Sequence, residues 1–192
     1  YEETTYRQKI GIPKARAALI YNGVSEEEFI PITPHENATD LLFVGHLRHM
    51  KGVDTLLDAM QLLHREGQEV TATIVGSGED RALFMEQAHR LELDQYVTFL
   101  PPEPVRTALP RGRIMVIPSR AESMPYIVLE TVAAQVPLIA SAVGGIPEIL
   151  GNDAPELVAP DAPLLLAQAI RTALSDPERI QKQAQMQHLR LK

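Results

Sequence analysis

Short, continuously apolar runs alternate along this chain with amphipathic stretches of helical spacing, and that alternation restricts its fold more than any other feature. The runs are AALIYN (17–22), DLLFVG (40–45), VTATIVG (70–76), YVTFLP (96–101), RIMVIPS (113–119), PLIASA (137–142) and ELVAP (156–160). A strand buried on both faces reads as an unbroken apolar run, not as alternation. Between the runs, VDTLLDAMQLLHREG sets Val53, Leu56, Leu57, Met60 and Leu63 on one stripe and ends at Gly67, a good C-cap. RALFMEQAHRLEL does the same with Leu83, Phe84, Ala88 and Leu91, and APLLLAQAIRTALSDP closes the series before a polar helix. Strand and helix repeated five or six times predict a single α/β domain, a parallel sheet with helices on both faces and right-handed crossovers.

The expected organisation is an N-terminal helical or linker segment over 1–16, the domain over 17–180 and a polar tail over 181–192 (QKQAQMQHLRLK) that frays. The chain opens on Tyr1 and not Met, with YEETTYRQKIGIP in front, and reads as a fragment of a longer protein. A net charge of −7 and a pI near 5.4 argue against a protein that tracks nucleic-acid phosphates. One small phosphorylated ligand stays compatible, because it needs local cations only. The absence of cysteine removes disulfide and thiolate-metal chemistry and fits a cytoplasmic location. No run approaches the length of a spanning helix, and no signal-peptide pattern opens the chain.

Ligands of such sheets sit outside the C-terminal ends of the strands, where loops lead into helices. Four loops fall there: VGHLRHMKG, VGSGED, SAVGGIPE and the stretch from Glu122 onward. VGSGEDRAL carries Gly76 and Gly78 around Ser77 but has Arg81 where a dinucleotide fingerprint needs its third glycine, so a tight strand-to-helix turn is the preferred reading. No P-loop and no G-x-S-x-G elbow occurs. His46 and His49 are three apart without a grouped carboxylate or cysteine, which gives no metal site. In GHLRHMKG, Gly45 leads to His46, Arg48 and Lys51 at the entry to a helix beginning near Gly52. A helix start with a lysine beside it suits an anion such as a diphosphate, while the plain alternative is solvated surface charge.

RAESMPYIVLETVAAQVPLIAS sets Glu122 and Glu130 eight positions apart, with Pro125 between them at an expected helix start. A capping box from Ser119 to Glu122 fails, because it would put Pro125 inside the helix. Glu130 stands in an almost wholly apolar segment, where a lone carboxylate is costly unless paired or bound.

DLLFVGHLRHMKGVDTLLDAM, ATIVGSGED, VIPSRAESMPYIVLETVAAQVPLIASAVGGIPEIL and ALIYNGVSEEEFIP together resemble the C-terminal, donor-binding domain of the GT-B retaining glycosyltransferases of family 4, with Glu122 and Glu130 as its E-x7-E motif. The resemblance runs from about residue 21 to 151 and more faintly to 180. It implies a Rossmann-like domain that binds a nucleotide sugar (UDP or GDP type) against a second, N-terminal domain, without cofactor or metal. It also implies a hexose transferred to a glycan or lipid-linked acceptor, and contact with a membrane only through that second domain. By the same resemblance Glu130 holds the ribose hydroxyls, Glu122 contacts the donor sugar and Lys51 neutralises the leaving diphosphate. The backbone of Ser123, Met124, Tyr126, Ile127 and Val128 faces sugar or diphosphate oxygens, while Gly76 to Gly78 and Leu100 with Pro101 border the base.

Three positions depart from the family pattern: His46 stands in place of an arginine, Met124-Pro125 in place of Phe-Gly, and Pro101-Pro102 where a glycine is common. Either Arg48 or a protonated His46 supplies the missing cation. Two rival readings are a catalytically silent binding domain and a glycoside hydrolase using Glu122 and Glu130 as its carboxylate pair.

Overall fold

The computed structural model describes residues 22–191 together with residues 8, 9 and 11. The expected segment 1–16 and the strand 17–22 therefore lie outside the described residues, apart from Gln8, Lys9, Gly11 and Asn22. Among the described residues six strands form the sheet: β1 (Thr39–Val44), β2 (Ala72–Val75), β3 (Val97–Leu100), β4 (Gly112–Ile117), β5 (Leu138–Ser141) and β6 (Leu157–Val158). All pairings are parallel, in the order β3-β2-β1-β4-β5-β6. This is a Rossmann-like domain, and its order reverses between β1 and β4. A crevice opens at such a reversal, because the loops after the two strands leave towards opposite faces of the sheet.

The helices are α1 (Val53–Arg65), α2 (Arg81–Arg90), α3 (Val105–Ala108), α4 (Tyr126–Ala133), α5 (Ile146–Leu150), α6 (Pro163–Ser175) and α7 (Pro177–Leu191). Side chains alternate across each strand, so one run feeds two cores. Leu41, Phe43, Ile114 and Val116 join α1, α2 and α6 on one face. Leu42, Met115 and Ile117 join α4 and α5 on the other. The expected stripe of α1 is buried in full, and the helix stops at Arg65, before Gly67 at φ 81°. On α2, Phe84 and Ala88 are buried but Leu83 is 60 % exposed, so it leaves the expected stripe.

Most of the expected polar tail is helical. Up to Leu191 it belongs to α7, which passes from one core to the other, with Ile180 in the first and Leu191 packed against the second. Two of its buried polar atoms are bonded: Gln187 Nε2 donates to Leu150 O at 2.9 Å, and His188 Nδ1 lies 2.8 Å from Ala133 O. Met186 and Leu189 remain exposed. No helix among the described residues is long and apolar enough to cross a membrane.

Candidate functional site

β1 ends at Val44, and the chain runs through Gly45 and His46 into a 3-10 turn, His49–Lys51. Gly52 then takes a left-handed φ of 69° and starts α1. A side chain is excluded there, since a Cβ on Gly52 would stand 2.0 Å from Pro118 O of the neighbouring loop. That loop follows β4 and carries Ser119, Arg120 and Glu122 to the start of α4, which is capped by Pro125. Gly144, at φ 56°, supports it from the loop after β5: a Cβ there would meet Glu122 O at 1.6 Å. Three loops thus touch backbone to backbone, and their side chains have few places to go.

Lys51 and Glu122 meet in the space between β1 and β4. Lys51 Nζ donates to Glu122 Oε1 at 2.5 Å, and Ser119 Oγ donates to the same oxygen at 2.7 Å. The Glu122 side chain is 9 % exposed and Lys51 29 %, so the pair is partly withdrawn from water but open to a ligand. A crevice of about 320 Å³ surrounds it, lined by Gly45, His46, Ser119, Pro125, Tyr126 and Ile127 among others. A second hollow of about 200 Å³ shares Val44, Gly45 and His46 with the first and extends to Gly76, Ser77, Pro102 and Glu103. The Gly76 and Gly78 turn is tight because loops abut: Cβ atoms there would lie 1.9 Å from Gly45 O and 2.2 Å from Leu47 O.

The sequence of residues 24–188 matches the family described as glycosyl transferases group 1. The chain belongs to that family. A glycogen synthase from Mycobacterium tuberculosis is 32 % identical over 183 residues, which cover 92 % of this chain and 44 % of the relative. The chain thus spans less than half the length of that curated relative. Among solved structures, a sucrose-phosphate synthase from Thermosynechococcus elongatus superposes with a TM-score of 0.81 at 24 % identity, over 99 % of this chain and 52 % of that one. The HepE protein of Anabaena, solved in complex with UDP, gives a TM-score of 0.78 at 21 % identity, over 90 % and 51 %. These two likenesses establish the GT-B type of Rossmann-like fold.

Within this group 1 glycosyl transferase chain the expected site residues are not all brought together. Glu130 does not line the crevice of Lys51 and Glu122. It lies on α4 one turn beyond Tyr126 and Ile127, and burial together with the nearby Glu28 carboxylate raises its pKa above the ordinary glutamate value.

Several finer expectations change. The Val128 amide is not open to a ligand, since it donates to Pro125 O at 3.1 Å. Pro102 and Glu103, not Leu100 and Pro101, face the second hollow. Leu100 packs against the core instead, and Glu103 is held by both ends of the Arg111 guanidinium. Ser123 O accepts from Gly145 N at 2.8 Å, and Met124 packs beside Gly145. Arg48 Nε donates to His46 Nδ1 at 2.7 Å, and both groups lie 3.9 Å from Glu79. In that bond the Nδ1 lone pair is the acceptor, and His46 lines both hollows. Among the described residues no group of three or more His, Asp or Glu gathers as a metal site would require.

Proposed function

We propose that this chain is the nucleotide-sugar-binding domain of a retaining hexosyltransferase. The donor is a UDP- or GDP-type sugar, and the acceptor is a glycan or lipid-linked sugar held by a second, N-terminal domain of the GT-B fold. The observation that carries this reading is the Lys51–Glu122 pair in a crevice at the reversal of strand order, where parallel sheets take ligands. The UDP complex of the similar Anabaena protein supports a uridine nucleotide in the first instance. Such a protein works in the cytoplasm and reaches a membrane through the other domain.

In this reading Lys51 and the free amides of Tyr126 and Ile127 at the start of α4 receive the diphosphate. The bond from the sugar carbon to the β-phosphate oxygen breaks with its electron pair leaving on the diphosphate. The acceptor hydroxyl oxygen forms the new bond on the same face of the ring, and its proton passes to the departing phosphate. Negative charge grows on the leaving oxygen, so the ammonium of Lys51 stabilises the transition state more than the ground state. Glu122 accepts from the sugar hydroxyls and supports the positive ring carbon, and Glu130 takes the ribose diol. His46, with Arg48 behind it, donates from Nε2, and Gly76 to Gly78 with Pro102 and Glu103 border the base.

Calorimetry of the folded chain with UDP, GDP and ADP tests the reading. Binding of one nucleotide, weakened by Lys51→Ala, is the expected outcome. No heat with any of them overturns it. The silent binding-domain reading draws on His46 in place of the second cation, and it wins if the whole protein transfers no sugar from the donor it binds.

A further inference from the structure

We propose that Arg120 is a positioning residue that fixes Lys51 and Glu122 relative to one another across the crevice. Its side chain is only 14 % exposed, unusual for an arginine with no ligand. Every face of the guanidinium is used. Nη1 donates to His49 O at 2.5 Å and to Asp54 Oδ1 at 2.8 Å. Nη2 donates to Asp54 Oδ2 at 2.6 Å and to Thr55 Oγ1 at 3.3 Å. Nε lies 2.6 Å from Asp161 Oδ1. The backbone joins as well, since Arg120 N donates to Met50 O at 2.9 Å.

These bonds fall next to the working pair. His49 and Met50 precede Lys51 directly, and Arg120 stands two residues before Glu122. One planar group therefore ties the loop after β1, the first turn of α1 and the loop after β4 into one body. Asp161, in the link from β6 to α6, supplies the third side, at a left-handed φ of 53° that aspartate tolerates better than most residues. The two-pronged contact to Asp54 demands a fork, so a lysine keeps the charge but not the geometry. A buried pair of this kind adds little net stability but sets position, because a broken half leaves an uncompensated charge.

The test uses the full 192-residue chain with Arg120→Gln, Arg120→Lys and Asp54→Asn, the last cutting the same fork should the arginine variants fail to fold. Hydrogen exchange is the readout that needs no ligand. Amides of the loops after β1 and β4 are expected to exchange about tenfold faster, with β1 and β2 unchanged. Loops that stay as protected as wild type, or a uniform rise over the whole chain, overturn the proposal.

The second readout rests on the donor-binding reading and uses whichever of UDP and GDP the wild type binds. Arg120→Gln is expected to weaken binding about tenfold, with no rescue in Arg120→Lys. In a Lys51→Ala background the same change is expected to cost less than about twofold, because its effect passes through Lys51. Full additivity of the two substitutions overturns the assignment. A wild type that binds neither nucleotide defeats the donor-binding reading alone, and the exchange measurement still decides the role of Arg120.

Discussion

Glu122 and Glu156 are both largely withdrawn from water, but the fold answers the charge of the first more fully. Glu122 Oε1 receives an ammonium and a hydroxyl at the crevice. Glu156 lies 6 % exposed at the far edge of the sheet, beneath α7, and its Oε2 finds no hydrogen-bond partner among the described residues. Burial raises its pKa, and Arg179, Arg190 and Gln187 offset this only in part. A buried carboxylate is costly unless paired. The crevice therefore holds a carboxylate met by an ammonium and a hydroxyl, whereas the β6 edge holds one whose burial is offset only in part.

The comparison can be broken most sharply at Lys51. Lys51→Ala should weaken nucleotide binding by about 10- to 100-fold, the loss of one charge-assisted contact of about 1.5–3 kcal/mol. An unchanged calorimetric isotherm would place the anion elsewhere. Next comes Gly144→Ala, where the added carbon meets Glu122 O at 1.6 Å and φ is left-handed. It should lower stability by about 1–3 kcal/mol and perturb the NMR signals around Glu122. Full thermal stability with an undisturbed crevice spectrum would show that the loops yield freely.

Glu156→Gln should do the opposite and stabilise the chain near neutral pH. The sign follows from the raised pKa in the folded state: the fold binds this proton more tightly than the unfolded chain does. The unfavourable contribution is thus fully present above the folded pKa and fades as pH falls towards the ordinary glutamate value. The gain in midpoint temperature should be clear at pH 7 and shrink on acidification. A variant less stable than wild type at pH 7 would mean that the Glu156 charge is paired after all. The smallest expected effect is at Glu28, whose charge contributes to the raised pKa of Glu130. Glu28→Gln should move the Glu130 titration, followed by carboxyl NMR, towards the ordinary value, and an unmoved curve would leave burial as its sole cause.

The fold was largely legible, because strands buried on both faces keep their apolar residues in unbroken runs and the helices between them carry clear stripes. The rim was legible in part. Lys51 and Glu122 each follow a buried strand in a loop without a packing role, and such charges invite a ligand. Less visible were features that depend on distant partners. Arg120 reads as one more surface charge until Asp54 and Asp161 are placed around it. α7 looks like a solvated tail because the residues it buries near its end include Gln187 and His188, whose bonds to Leu150 and Ala133 cannot be foreseen from spacing. The same holds for Val128, whose amide is used up inside its own turn.

The contact between Lys51 and Glu122 also bears on selectivity. With the ammonium already engaged, an arriving anion must displace the glutamate, and a lone phosphate would leave that acid stranded. A molecule carrying a diphosphate at one end and a hydroxyl-rich ring at the other gives each group a replacement partner. On the donor reading proposed above, the crevice thereby favours the intact conjugate over either of its halves.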